Sequence, residues 1–425
     1  MTSVSPTNGL VTGGTIVTIS GTSLGCVSVS FNGVSASNVT ASYGTVTATS
    51  PVGTIGVVTL KVTNPNVGIN ANAFDTAQFT YIAHNNTPTT ASVIQSDVSR
   101  VTRSAVTANN SMMSQGLERF IGDRSSGQSM TDVISTSGLN SVVVSPEMKA
   151  YGETLFGRGS FFGQSVSADG TYRKVTFGEF DVQHERGAGT TLSFNGRMAW
   201  ERAAGDDAMV AYFLGAEVNR SNLEGTYTGD QSRYGLTAGV YGFKELENNL
   251  YLSGYGSLGV ARSNLDITDG ASSVVTGDYT SRTMSLGGQL SGSVDFETYE
   301  LRPSVSLNFV KTWIGDITLD ENGSSINVAV GDTTFGELVA KPEFLFPMEQ
   351  QEGSNMVTVA SAAPRLICER SDAANTVTKD CGAGLELGIN GTSEDGATNL
   401  NASIRFDRVG GVDRQGLNLQ AEFRF

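Results

Sequence analysis

Few residues in this 425-residue chain have the type and spacing for covalent chemistry. There is no Gly-Asp-Ser-Leu run of the lipase kind, and Cys and His nowhere fall at zinc-ligand spacing. The two histidines are His84 and His184. His184 stands close to Asp181 and Glu185, a grouping able to move protons as a general acid–base pair. The plainer reading of a lone histidine is a solvated side chain. Cys368 and Cys381 flank a polar stretch, Arg370–Asp380. In an oxidising compartment they would pin its two ends together; the alternative is two free thiols. Cys26 has no evident partner. The expectation is no enzyme, no catalytic set, no metal and no cofactor.

Composition narrows what could hold these residues. The net charge is −15 and the pI about 4.6, which argues against nucleic acid as a partner. Glycine is abundant at 51 residues and proline scarce at 9, a mixture that suits many strands joined by tight turns. No run of about 18 apolar residues occurs, so no transmembrane helix is expected. Any membrane role then requires a closed barrel, which satisfies every backbone group in hydrocarbon without helices. The opening Met1-Thr2-Ser3-Val4-Ser5-Pro6 lacks the basic region and apolar core of a secretion signal. A barrel in an outer membrane needs such a signal, so the expectation is a mature or truncated chain.

The elements follow from periodicity. Residues 1–82 are rich in Val, Thr, Ser and Gly, with short strands and regular turns, as in an all-β sandwich. Residues 83–95 are polar and read as a linker. Over 96–122 a stripe of Val98, Val101, Ala105, Ala108, Met112, Gly116 and Phe120, preceded by Ile94, predicts one helix. Its Thr and Val content makes it a poor helix in isolation, so it needs a surrounding to pack against. The alternative is an amphipathic helix lying elsewhere. Residues 123–171 have no clear period; 151–163 could be a plug-like segment or an extra strand, which could raise the total of barrel strands to fourteen.

From 172 to 425 the period is two. In the segment beginning at Thr190, Leu192, Phe194, Met198 and Trp200 alternate with Ser193, Asn195 and Arg197. Leu301, Val305, Leu307 and Phe309 oppose Arg302, Ser304, Ser306 and Asn308. Large charged residues stay mid-strand on the second face, as a wet or plugged lumen permits. About twelve strands are expected, starting near 173, 190, 208, 231, 249, 280, 299, 334, 355, 380, 397 and 414. The long connectors 264–280 and 315–332 then share one end. Trp200 near an inner turn and Trp313 near an outer loop suit two interfacial aromatic belts. Pro303 and Pro342 inside strands predict a bulge at each.

The chain ends on QGLNLQAEFRF, where Leu417, Leu419, Ala421, Phe423 and Phe425 alternate with polar residues. This ending resembles the C-terminal assembly signal of bacterial outer-membrane barrels. The ordered set SP, GG, FNG, TSP and VTNP in residues 1–82 resembles an IPT/TIG domain, an immunoglobulin-like fold. With the helix and the barrel of 172–425, including LTAGVYGFKELENNLYLSGYGSLGVARSNLDI, the whole is similar to the translocator unit of a type V autotransporter. The resemblance implies an all-β fold: a sandwich, a helix in a pore, and an antiparallel transmembrane β-barrel. It implies an outer-membrane location and an N-terminal passenger exported to the cell surface. Expected partners are the lipid bilayer and lipopolysaccharide, the barrel-assembly machinery and periplasmic chaperones. Alternatives are an adhesin whose sandwich binds a surface ligand, and a porin-like channel. Some autotransporters cleave themselves in the pore at an Asn pair. Asn109-Asn110 is the candidate here, though the spacing of the following segment matches poorly.

Overall fold

The computed structural model describes all residues except 43, 66–72, 83–86, 126–128, 137–140, 168–169, 226, 248, 270–272, 351–354, 374–375 and 425. Two compact units result, the first essentially Met1–Pro88 and the second the rest.

In the first unit, short alternating strands such as Ile16–Ser20, Ser28–Phe31, Thr45–Thr49 and Gly56–Asn64 bury one face. One sheet contains Ser3–Ser5, Ile16–Ser20, Ser37–Ser42 and Thr45–Thr49. The other contains Asn8–Leu10, Ser28–Phe31, Val34–Ser35, Gly56–Asn64 and Ala73–Ile82. The inward positions of both sheets, Val17, Ile19, Val46, Leu60 and Phe79 among them, are fully buried. Phe79 makes edge-on contacts with Phe31 at 4.9 Å and Tyr81 at 5.2 Å, the favoured geometry for aromatic quadrupoles. The Tyr81 hydroxyl donates to the Pro51 carbonyl at 2.8 Å, so its polar end is satisfied at the edge of the core.

Among the described residues the second unit holds two helices, α1 (Thr87–Ser125) and α2 (Met130–Thr136). Fourteen barrel strands follow. They are β1 (Ser141–Tyr151), β2 (Thr154–Val166), β3 (Arg173–Glu185), β4 (Gly189–Ala203), β5 (Ala208–Leu223), β6 (Thr228–Glu247) and β7 (Leu250–Thr268). Then come β8 (Val274–Gly292), β9 (Glu300–Ile314), β10 (Thr333–Pro347), β11 (Met356–Ala373), β12 (Thr376–Ser393), β13 (Thr398–Val409) and β14 (Val412–Arg424). Each pairs antiparallel with its neighbour, and β1 pairs with β14 to close the cylinder.

Alternation becomes two unlike faces. Leu214, Leu236, Leu258 and Leu307 point outward and are more than half exposed, a surface suited to hydrocarbon. Glu179, Glu201, Arg173 and Ser281 point inward and are buried. Strands β6 to β8 run 19–20 residues, well beyond the roughly 9–11 that span a bilayer, so they project past the apolar band. A further hairpin, Ile317–Glu321 with Ser324–Val328, lies between β9 and β10 at this same tall end. The opposite end carries compact turns. In one of them the Ser393 hydroxyl and the Ala397 N–H donate to Asp395 and hold its carboxyl below the usual range.

Several expectations are corrected. The barrel has fourteen strands rather than about twelve, because the segment 123–171 supplies α2, β1 and β2. The helix extends beyond 96–122, and the region read as linker is helical from Thr87. No bulge forms at Pro303 or Pro342. The two face each other in unbroken register across β9 and β10, at a place where neither is asked for an N–H. The ladder opens instead between β10 and β11, where the bridges skip from Ala340–Leu366 to Phe344–Ala362 around Pro342 and Pro364. The long connector 264–280 is largely the top of the β7–β8 hairpin.

Candidate translocation pore

Helix α1 lies inside the barrel, held by wall contacts along its length. Near its start, at the tall end, Ile94 and Val98 join an apolar cluster with Leu265, Ile267, Val275 and the hairpin residues Ile317, Leu319 and Val328. A polar middle follows. Asp97 accepts from Gln231 at 2.7 Å and pairs with Arg100. The hydroxyls of Thr102 and Thr312 are 2.9 Å apart. Near its end, Met112, Met113, Leu117 and Phe120 pack against wall aromatics that include Phe162, Phe177, Phe213, Tyr241 and Phe243. Gly116 belongs to this contact. A Cβ there would stand 2.6 Å from the Phe243 ring, so the absent side chain lets helix and wall close up. A mid-helix glycine costs about 1 kcal/mol relative to alanine, and this contact is the structural reason for it.

Charges lock the lower half. Glu201, fully buried, accepts from Arg119 at 2.5 Å, Arg173 at 2.7 Å and the Tyr241 hydroxyl at 2.6 Å. Arg173 also reaches Asp123 at 2.9 Å, so two residues of α1 and three of the wall share one network. Arg124 then pairs with Glu245 at 2.6 Å. Buried charges are tolerable only when paired in this way.

The helix does not fill the lumen evenly. Its exposed residues among those described, Ser92, Ser96, Arg103, Ser114, Glu118 and Gly122, form one stripe. Lumen-facing residues on the far wall, such as Glu386, Asn390, Asn401 and Asn418, are half-buried, whereas those behind the helix, such as Glu179, Ser263 and Ser281, are fully buried. The helix therefore leans on β2 to β10, where Gln95 and Asn110 also bond Thr333 and Glu337, and leaves a polar crescent along β11 to β14.

The residues singled out from sequence are distributed as follows. Asn109 is buried and accepts from Arg197 at 2.6 Å; Asn110 donates to Glu337 at 3.1 Å. Both lie mid-helix in the lumen. Cys368 and Cys381 are bonded to each other and sit directly opposite across β11 and β12, on the outward face. Trp200, stacked on Tyr212 at 5.1 Å, and Trp313 lie near opposite ends of the barrel. Leu417, Leu419, Ala421 and Phe423 line the outward face of β14; Phe425 lies outside the described residues. His184 faces outward and contacts Thr190 at 3.0 Å, whereas Asp181 faces inward onto Arg158 at 2.7 Å. No proton-transfer group forms, because adjacent strand positions of opposite parity cannot share a face. His84 lies outside the described residues.

Sequence reading missed the spacing Gly21-x-Ser23-x-Gly25. It lies in a turn between two sandwich strands, Ile16–Ser20 and Ser28–Phe31, not at a strand-to-helix elbow. It also missed the wall aromatics that receive α1. Their signal is a run such as Phe161-Phe162, where both faces of a strand are apolar.

Residues 1–81 match the family model of the IPT/TIG domain, and residues 158–359 match that of the autotransporter beta-domain. The chain joins an IPT/TIG domain to an autotransporter β-domain. It is an outer-membrane protein and a translocator, with passenger export the known role of the family. The tall end of the β-domain is thus its outer end and the compact turns its periplasmic end. Among the described residues no helix is long and apolar enough to cross a membrane; a β-barrel crosses with strands. The solved structures it is similar to include the β-domain of the Bordetella autotransporter BrkA, 14% identical over 68% of this chain and 99% of that one, TM-score 0.41. The translocator domain of the Neisseria meningitidis autotransporter NalP is 14% identical over 76% and 98%, TM-score 0.39. The monoaromatic hydrocarbon channel CymD is 9% identical over 69% and 90%, TM-score 0.41. The assignment rests on the family models. No curated protein matches the sequence.

Proposed function

We propose that the cargo displayed by this translocator is its own IPT/TIG domain, and that α1 stays in the pore as both tether and plug. The observation that carries the reading is the polarity of α1: its first turns pack at the outer mouth and its last turns pair with Glu245 at the periplasmic side. A chain threaded this way delivers what precedes the helix to the cell surface. The outward apolar row Leu417, Leu419, Ala421 and Phe423 on the closing strand would be read by the assembly machinery before β14 meets β1. The Asn109-Asn110 pair is held inside the hydrogen-bonded middle of the helix by Arg197 and Glu337. That arrangement supports an intact tether over a cleaved one.

Protease added to intact cells is expected to remove the IPT/TIG domain and leave residues 89–425 protected and heat-modifiable on gels. A domain that stays protected until the cells are lysed would refute surface display.

A further inference from the structure

The outward face of the barrel carries a basic set just above its apolar band at the outer end. On β11 and β12, Arg370 and Lys379 stand directly opposite each other, one outward rung beyond the Cys368–Cys381 bond. Both are exposed, and neither forms an ion pair among the described residues. Like charges opposed across a strand pair repel, so this rung calls for a counter-ion.

Its neighbours describe the ligand. On the same row, across β10 and β9, lie Gly336 and then Phe309. A Cβ on Gly336 would meet only the Asn308 carbonyl, at 3.7 Å, so an open dent separates Arg370 from the Phe309 ring. The next outward rung toward the periplasm presents Leu307 and Leu338, and beyond the cystine comes Leu366, all exposed. Lys311 on β9 and Arg408 on β13 extend the basic set to either side. Each already has a carboxylate, Asp332 at 3.3 Å and Asp413 at 3.7 Å. Asp372 is the outward residue beyond Arg370 on its own strand. The row positions step down from Lys311 to Arg370 and Lys379 and then to Arg408, which is how a level girdle looks on tilted strands.

We propose that the Arg370–Lys379 rung is a binding site for a phosphate of a phosphorylated glycolipid of the outer leaflet, with the lipid's acyl chains lying over Leu338, Leu366 and Phe309. The inference rests on the outer-membrane orientation above. Arg supplies forked donors and Lys a point charge to one phosphate, which removes their mutual repulsion. The cystine one rung below fixes the register that holds the two cations opposed. An outer-leaflet glycolipid joins phosphate and acyl chains at this height; a soluble anion would use the charges and ignore the dent and the leucines.

The test uses the full chain purified in detergent, with binding of bis-phosphorylated lipid A and of dephosphorylated lipid A followed by native mass spectrometry. The phosphorylated form is expected to bind about tenfold or more tighter, and R370Q/K379Q to abolish that preference. Equal binding of the two lipids, or a preference that survives in R370Q/K379Q, would overturn the site. Complete displacement by millimolar inorganic phosphate would overturn the glycolipid in favour of a free anion. Heat-modifiable migration of the unaltered chain separates the two levels: a barrel that never forms fails the orientation reading, whereas a folded barrel without lipid preference fails only this site, and the same migration by R370Q/K379Q shows that its loss of preference is not a loss of fold.

Discussion

Replacing Glu201 with alanine is expected to cost about 3–5 kcal/mol of barrel stability, the range for leaving buried charges without their partner. The substitution strands Arg119 and Arg173, which are 11% and 1% exposed, and removes the acceptor of the Tyr241 hydroxyl. Asp123 remains beside Arg173, whereas Arg119 is left with no ion pair among the described residues. Because Arg119 belongs to the helix and Arg173 to the wall, the loss also loosens the plug. The readout is the denaturant midpoint of the folded, fast-migrating form. The comparison is Asp278→Asn, which breaks an exposed pair with Arg262 and is expected to cost at most about 1 kcal/mol. Equal midpoints for the two variants would show that the network does not hold the helix.

Removing residues 1–125 is expected to raise single-channel conductance in a planar bilayer on the order of tenfold, as an emptied barrel becomes a water-filled pore. In the intact chain the helix blocks the lumen from β2 to β10, and current is confined to the crescent along β11 to β14. That crescent gives the porin-like reading its one structural support, and the measurement decides its weight. A full chain that conducts as well as the truncated one would mean that the helix does not obstruct the pore. The truncated barrel is also expected to lose stability, because Phe162, Phe177, Phe213 and Phe243 would face water.

How far the sequence could be read is explained by what each face touches. Strands β3 to β14 were legible because one face meets lipid and the other meets polar groups, so the period of two survives. It fails at β1 and β2. Pro146 interrupts the bridges between β1 and β14, which skip from Val144 to Glu147. In β2, Phe161 faces outward while Phe162 packs under Arg119 at 4.6 Å, so consecutive residues are both apolar. The helix stripe was legible from Ile94 to Phe120. Its true extent was not, because Gln95 is buried against the barrel wall, donating to Thr333 at 2.6 Å, rather than by an apolar pattern of its own. The ion network that locks the helix joins residues 119, 123, 173, 201 and 241, and no spacing along a chain announces such a set.

The central claim is that α1 occupies the pore of a membrane-inserted barrel, outer mouth first. Cysteines placed at Thr102 and Thr312, whose hydroxyls are 2.9 Å apart, test it in living cells with Cys26 changed to serine. The claim predicts that oxidant joins the helix to β9 in the heat-modifiable form, giving a mobility shift that reductant reverses. Two thiols that stay separate and free to react in a folded barrel would contradict it.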